Sequence, residues 1–224
     1  EPRVPGRYYR LPRSGNGGYW FSSDYRKKFA LDGGVDYTIY EGKDRQGFYH
    51  NIAPRYRVNN RLSFVFKYDG YYETNNPGFV VIDNNEIIFG KRDLQTITNT
   101  LTSSYIFTNK MALSLRARHY WSKAEYKKYF MLTDDGYLTA TGYFGENDIN
   151  FNAFNIDMIY KWQFSPGSEL SLVWKNSIFT QGTPLTKDYF NNLGNTFDSP
   201  QTNSVSIKLL YYLDYLYLKK TKSA

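Results

Sequence analysis

Arg116 and Arg118 are the side chains whose type and spacing best suit chemistry in this sequence. Residues two apart in a β-strand point to the same face, so the two guanidiniums would lie side by side. Such a pair can bind a carboxylate or a phosphate through several N–H donors. The pair can instead form salt bridges with Asp or Glu of neighbouring strands, and the sequence leaves both interpretations open.

Charged side chains with the same alternate spacing recur along most of the chain. We predict that they share the lumen face of a β-barrel, because Arg or Lys facing lipid would cost about 2–4 kcal/mol near the membrane midplane. They would form either a salt-bridged network that fills or stiffens the lumen, or a polar conduit whose mixed charges select solutes. The predicted set is Asp32, Asp36, Arg55, Arg57, Lys67, Asp69, Glu73, Arg116, Arg118, Asp157, Lys161, Lys175, Lys208 and Asp214.

The remaining residue types give little indication of catalysis. His50 and His119 fall on the apolar side of their segments, and no serine or acid is fixed beside either one. We expect His119, with Trp121 nearby, to lie at a membrane interface. The chain has no cysteine, and residues 133–136 resemble a turn without EF-hand spacing. We therefore predict no catalytic residue, no cofactor and no metal site.

Composition limits the class of protein. The 224 residues suffice for one large domain, and 19% of them are aromatic. The net charge is +7 and the mean hydropathy is −0.61, with no apolar run long enough for a transmembrane helix. The basic residues are scattered and form no known nucleic-acid motif, so we do not expect nucleic-acid binding.

The last segment of the chain shows a strand pattern most clearly. Across residues 204–218, apolar or aromatic side chains occupy the odd positions, which is the period of two of a β-strand. A transmembrane strand needs about 9–11 residues, so this segment could cross a bilayer and project beyond it. Similar alternation occurs in residues 29–39, 62–73, 111–118, 154–164 and 170–178.

Short and longer connections alternate along the chain. Asn, Gly, Pro and charged residues predict tight turns at residues 26–28, 58–60, 108–110 and 165–168. Longer polar connections are predicted at residues 42–46, 75–92, 127–147 and 182–202. Outer-membrane barrels have this asymmetry, with short turns on the periplasmic side. We therefore predict an all-β, antiparallel up-and-down transmembrane β-barrel in the outer membrane of a Gram-negative bacterium, with a periplasmic C-terminus.

We count about nine strands, and this number leaves the barrel open. The first and last strands would run in the same direction, and bacterial single-chain barrels avoid the parallel pairing that would then close them. We expect further strands upstream, and a processed product or fragment, because the chain opens without the apolar region of a signal peptide. The predicted parts are the end of an upstream strand or loop (1–17), the C-terminal barrel region (18–220) and a periplasmic tail (221–224).

Several stretches of the chain resemble one known family, namely residues 25–31, 88–92, 114–121, 148–155, 164–171 and 173–176. They are similar to the C-terminal half of a domain of unknown function found in large outer-membrane proteins. Those proteins usually carry an N-terminal domain similar to carbohydrate-binding module family 9. The resemblance implies a barrel and a connection to glycans through that upstream domain, and it implies no reaction.

Three classes of function are consistent with the sequence. The chain would be an outer-membrane barrel that passes a solute or binds one at the surface, linked to glycan use. Alternatively, it would be a structural barrel that anchors an upstream domain or a surface complex, without transport or catalysis; a soluble β protein that binds a small ligand is a third class. The expected partners are outer-membrane lipid, lipopolysaccharide, and glycans bound by the upstream domain.

Aromatic side chains in the long connections also allow two interpretations. They would either stack on sugar rings or pack loop against loop, and they are Tyr137, Tyr143, Phe144, Tyr189 and Phe190.

Overall fold

The computed structural model describes residues 2–182, 185–186, 188–213 and 215–216. These residues form ten strands in one sheet and a helix, α1 (Tyr189–Phe197). The strands are β1 (Ser14–Ser22), β2 (Phe29–Tyr40), β3 (Gln46–Arg57), β4 (Leu62–Asp83), β5 (Glu86–Thr108), β6 (Met111–Leu132), β7 (Leu138–Ala140), β8 (Ile149–Ser165), β9 (Ser168–Gly182) and β10 (Gln201–Leu210).

The sheet is antiparallel and follows the chain up and down. Strands β1–β6 and β8–β10 lie side by side in chain order, and the short β7 pairs with β6. The predicted all-β, up-and-down arrangement and the nine strands along this path are confirmed. The sheet is not closed within the described residues: β1 pairs only with β2, β10 pairs only with β9, and every residue of both edge strands is exposed.

The sheet has two chemically different faces. Tyr37 lies opposite Phe48, and Phe48 lies opposite Tyr72, so these side chains share one face. Alternation along each strand extends this apolar face, whose exposed members include Phe29, Val35, Tyr37, Ile39, Phe48, Ile52, Tyr56, Phe66, Tyr72, Leu101, Tyr105, Phe107, Trp162, Leu172, Val205, Ile207 and Leu209. The intervening positions, such as Asp36 and Asp69, form the polar face.

The short connections lie at one end of the sheet, as predicted, at residues 23–28, 58–61, 109–110 and 166–167. At the other end, the predicted long connection at residues 75–92 is wrong. Strands β4 and β5 continue through it and join in a two-residue turn. The turn residues Asn84 and Asn85 have φ of 47° and 65°, which suits a type I′ hairpin.

β-bulges explain why this stretch resembles a loop in the sequence. The pairing between β4 and β5 shifts between Glu73 and Asn76, where Asn75 has a φ of 54°. Pro77 then pairs with Lys91, so the strand continues after the bulge. Beyond this level, β4, β5 and β6 extend past the rest of the sheet.

The extension has its own small hydrophobic core. Ile87, Phe89 and Leu132 are buried in it, and Val4 and Tyr9 from the segment before β1 pack against them. The rings of Tyr9 and Phe89 lie 5.5 Å apart. The start of the chain is therefore tied to the long-loop end of the sheet.

Polar contacts hold the same N-terminal segment, residues 2–13. Arg10 N donates to Gly136 O at 2.9 Å, and Arg7 lies 2.6 Å from Asp134. These residues are not part of a strand, and β1 begins at Ser14, within the segment 1–17 that the sequence predicts to be the end of an upstream strand or loop.

Helix α1 folds back onto the apolar face from the connection between β9 and β10, a stretch predicted as a polar loop. Asp188 caps it, because its Oδ1 accepts a hydrogen bond from Asn191 N at 2.8 Å. Asn192 and Thr196 are its buried residues, and the helix contacts β8 and β9. Within the described part of the chain, no helix is long and apolar enough to cross a membrane.

The last strand is shorter than predicted, since β10 ends after ten residues. The ring of Tyr211 stacks 6.3 Å from that of Phe164, and Tyr212 N donates to Ser168 Oγ at 2.9 Å. These residues therefore pack on the turn between β8 and β9 and do not prolong the strand. The predicted features outside the described residues are Asp214, residues 217–218 and the tail at 221–224.

Candidate functional site

The polar face brings the predicted charged residues together. Arg116, Asp157 and Lys175 are direct cross-strand neighbours on β6, β8 and β9, and so share this face. Asp214 lies outside the described residues. By the same registers, the face also carries Asp32, Asp36, Arg55, Arg57, Lys67, Asp69, Glu73, Arg118, Lys161 and Lys208.

One cluster on this face lies near the short turns. Arg55 Nε is 3.2 Å from Asp32 Oδ2. Tyr25 and Ser22 donate to Asp32 Oδ1 at 2.7 and 2.8 Å, and the Arg55 guanidinium stacks 4.8 Å from the Tyr25 ring. Arg57 donates to the carbonyl oxygen of Tyr25 at 3.2 Å. Asp32 and Arg55 therefore pair here, and Arg57 is held through a backbone carbonyl oxygen.

A second cluster lies midway along the face. Arg116 Nη2 is 2.7 Å from Asp157 Oδ2, and Lys175 Nζ is 4.0 Å from Asp157 Oδ1. Arg116 therefore adopts the salt-bridged alternative left open by the sequence. The Arg116 side chain is 60% exposed, so this pair contributes at most about 1 kcal/mol to stability.

Arg118 does not share that arrangement. Among the described residues, no carboxylate lies within 4.0 Å of its guanidinium, which is 5.8 Å from the ring of Tyr120. On β4, two strands away, Lys67 pairs with Asp69 at 2.9 Å, and Tyr49 of β3 donates to Asp69 at 2.6 Å. A depression of about 490 Å³ opens between these groups, lined by Tyr49, Lys67, Asp69, Gly70, Tyr71, Thr96, Thr98, Thr100, Arg116 and Arg118.

The third cluster surrounds Glu73, at the level where the sheet extension begins. Its carboxylate accepts hydrogen bonds from Arg45 at 2.5 Å, Tyr71 at 2.5 Å and Asn76 at 3.0 Å. Burial favours the neutral form of Glu73, but the three hydrogen bonds and the Arg45 charge outweigh it, so its pKa lies below the ordinary value. Sequence reasoning missed Arg45, whose loop position gave no strand alternation to follow.

The other predicted members of the set have weaker contacts. Asp36 accepts long hydrogen bonds from Asn16 at 3.4 Å and Thr38 at 3.5 Å. In the described part of the chain, Lys161 and Lys208 have no carboxylate within 4.0 Å; both are neighbours of Ser171 across the sheet. On the described part of the polar face, charge is thus paired at Asp32, Asp69, Glu73 and Asp157, whereas Arg118, Lys161 and Lys208 have no carboxylate within 4.0 Å.

The sequence predicts His119 at a membrane interface, and the structure shows that this side chain is buried. His119 and Trp121 are on the predicted face, but they are only 3% and 1% exposed because Tyr189 of α1 covers them. Tyr189 Oη lies 2.9 Å from His119 Nδ1 and accepts a hydrogen bond from Asn99 at 2.7 Å. His119 therefore belongs to a buried polar contact between helix and sheet.

His50 packs among aromatic rings on the apolar face. Its ring stacks on Phe48 at 5.1 Å and on Tyr72 at 5.8 Å, and its Nε2 lies 3.2 Å from Tyr68 Oη. A Cβ at Gly70, directly opposite, would lie 2.5 Å from His50 Cε1. The glycine makes room for the imidazole.

Two of the loop aromatics pack against neighbouring rings, which is one of the two expected alternatives. Tyr189 is packed as described, and Tyr143 packs edge-on against Tyr129 at 5.1 Å. Phe144 and Phe190 remain exposed. The described residues contain no group of three or more His, Asp or Glu side chains suited to a metal ion.

Comparison with known proteins identifies a family that matches this chain. The family described as "Domain of unknown function (DUF5916)" matches residues 1–222. The chain belongs to the DUF5916 family. No match to a curated protein or to a solved structure was found.

DUF5916 membership confirms one part of the resemblance noted in the sequence, namely a family of unknown function that covers most of the chain. The upstream carbohydrate-binding module and the outer-membrane setting stay predictions. The charged side chains on the polar face of this DUF5916 chain can bind or repel ions.

Proposed function

We propose that this chain forms part of the wall of an outer-membrane β-barrel whose polar face lines a lumen that passes or binds a solute. The observation that carries the proposal is the exposed apolar face. A contiguous apolar patch across nine strands is unusual on a soluble monomer and indicates an interface with lipid or protein. Outer-membrane lipid and lipopolysaccharide are the partners that suit it.

The order of side chains on the apolar face supports lipid as the partner. Exposed aromatics lie near the short turns, as in the girdles of membrane barrels, and they are Phe29, Tyr56, Tyr105, Phe107 and Trp162. On β8, the face becomes polar at Asn152, about ten residues from Trp162, which matches the length that a strand needs to cross a bilayer. Arg and Lys lie on the opposite face over the same length.

The strand directions support closure by additional strands. β1 and β10 both run towards the short-turn end, so antiparallel closure requires an odd number of strands between them. We propose that these strands come from the same gene product. A glycan fragment is the solute class that the family resemblance favours.

Purified full-length protein tests this function directly. It should require detergent, migrate faster on gels before boiling than after, and give discrete conductance steps or saturable solute uptake in lipid bilayers. Boiled protein is the control for both the gel mobility and the bilayer measurements. A protein that stays soluble without detergent, or a barrel that neither conducts nor binds oligosaccharide, would contradict the proposal.

A structural anchor is the second candidate, and the N-terminal segment favours it. Val4 and Tyr9 pack on the core of the extension, and Arg7 pairs with Asp134 at its edge. A domain joined before this segment would be held against the long-loop end of the sheet. Co-purification of a stable partner together with an absence of flux would support the anchor over the conduit.

A further inference from the structure

We propose that the depression on the polar face binds a small hydroxyl-rich anion, with its carboxylate or phosphate held between Lys67 and Arg118 above the hydroxyl of Thr100. This inference rests on the proposed function, because it names the class of solute that the lumen would select. Three observations support this inference. Three suitable side chains lie next to one another across the sheet, the local charge is positive, and hydroxyl groups line the rest of the depression.

Lys67, Thr100 and Arg118 are direct neighbours across β4, β5 and β6. Adjacent strands are about 4.8 Å apart, so the backbones of Lys67 and Arg118 are roughly 10 Å apart with Thr100 midway. Both long side chains can reach an oxyanion placed over Thr100. That oxyanion would accept hydrogen bonds from an ammonium, a hydroxyl and a guanidinium at once.

Positive charge in the depression exceeds what its carboxylates neutralise. Lys67 pairs with Asp69 at 2.9 Å, and Arg116 pairs with Asp157 at 2.7 Å. Arg118, in contrast, has no carboxylate within 4.0 Å among the described residues. Its planar set of donors is therefore available to a ligand, and a carboxylate or phosphate matches its geometry.

Hydroxyl groups form the rest of the wall. Thr96, Thr98 and Thr100 project from alternate positions of β5. Tyr71 of β4 and Tyr49 of β3 also line the depression, and their hydroxyls donate to Glu73 and Asp69 and can still accept from a ligand. Hydroxyls both donate and accept hydrogen bonds, as the hydroxyls of a sugar require. The volume of about 490 Å³ lies within the range of small-molecule sites. A sugar acid or a sugar phosphate combines the two required features.

Calorimetric titration of the full-length protein, folded in detergent, tests the site with four probes. Glucuronate and glucose 6-phosphate should both bind, and their relative affinity shows whether carboxylate or phosphate is preferred. Neutral glucose should bind at least tenfold more weakly. Inorganic phosphate should also bind more weakly than glucose 6-phosphate, and equal binding would overturn the assignment of a hydroxyl-rich ligand.

Variants separate the site from the rest of the polar face. Arg118→Gln should weaken binding of both charged sugars about 10- to 100-fold, the range expected for a charged hydrogen bond. Lys208→Gln removes a cation from the same face outside the depression, and should leave affinity unchanged. Equal affinity of wild type and Arg118→Gln would overturn the inference, as would an equal loss in both variants.

A milder variant covers the case in which Arg118→Gln does not fold. Thr100→Val keeps the shape and removes only the hydroxyl, so it should weaken binding about three- to tenfold; unchanged affinity would overturn the inference. A heat-modifiable barrel that binds neither charged sugar overturns this inference alone. A chain that needs no detergent overturns the proposed function, whatever it binds.

Discussion

Asn192 of α1 and Asn152 of β8 bind each other through both of their side-chain amides. Asn192 Nδ2 donates to Asn152 Oδ1 at 2.6 Å, and Asn152 Nδ2 donates to Asn192 Oδ1 at 3.1 Å. Both side chains are buried, and Asn150 donates to the same Asn192 oxygen at 3.2 Å. Paired amides, and not apolar packing alone, therefore fix the helix to the sheet.

Replacing Asn192 by Ala should loosen this contact. The amides of Asn150 and Asn152 would lose a buried partner, at a cost of about 1–3 kcal/mol. Urea unfolding followed by tryptophan fluorescence measures the loss, because Trp121 donates to Asn150 beneath the helix. Asn191→Ala is the matched control, since Asn191 is exposed and one position away. Equal stability of the two variants would contradict the prediction.

Glu73 should make stability depend on acid pH. Its folded pKa lies below the unfolded value of 4.5, so the unfolded chain binds the proton more tightly. The contribution of Glu73 is therefore complete above that value and is lost as the pH falls through the lower folded pKa. Glu73→Gln should reduce stability by about 1–3 kcal/mol at neutral pH and flatten the acid decline.

Glu86→Gln is the control for this titration, because Glu86 is exposed beside the β4–β5 turn. The measurement is the free energy of unfolding at intervals between neutral and strongly acid pH. An acid decline in Glu73→Gln as steep as in the wild type would show that other groups cause it.

Gly70→Ala should destabilise the protein through His50. The new Cβ would lie 2.5 Å from His50 Cε1, and the rings of Phe48 and Tyr72 limit the movement of the imidazole. Overpacking of this kind costs about 1–3 kcal/mol. Unfolding experiments on both single variants and the His50→Ala/Gly70→Ala double variant should show that the cost disappears once the imidazole is removed.

Gly17→Ala provides the comparison, because nothing lies within 4 Å of a Cβ placed there. It should be nearly neutral. If Gly70→Ala costs as much in the His50→Ala background as in the wild type, the clash with His50 is not the cause.

The two faces of the sheet should differ in how much a new charge costs for folding into a bilayer. Leu101→Arg would place a guanidinium on the apolar face and should cost about 2–4 kcal/mol for folding into a bilayer. Thr98→Arg would place it on the polar face beside Asp69, so its cost should be small. Reversible folding into lipid vesicles measures both values, and a similar cost for the two variants would argue against a lipid-facing surface.

Strand faces and short turns could be predicted because their signals are local. Alternation along β6 already placed Arg116 and Arg118 on one face, and Asn, Gly and Pro marked the turns at the short end. Which arginine pairs with a carboxylate could not be predicted in this way. That choice depends on β8 lying beside β6 in a register that puts Asp157 opposite Arg116.

The parts missed by sequence reasoning depend on contacts between distant residues. Asn75 and Pro77 indicate a loop until β5 supplies partners that accommodate a bulge. Helix α1 has only nine residues, and it is held by Asn152 of β8 and His119 of β6. The last strand shows the reverse case, because Tyr211 and Tyr212 keep a strand-like pattern but pack on a turn.

The two exposed edges of the sheet have a consequence for how the isolated chain would self-associate. Each edge presents unpaired N–H and C=O groups, which readily recruit another strand. Since β1 and β10 run in the same direction, two copies that keep their apolar faces on the same side can pair antiparallel only through β1 with β1 or β10 with β10. Either contact generates a two-fold axis, so dimers joined edge to edge, and then chains of dimers, are the assemblies that this topology favours.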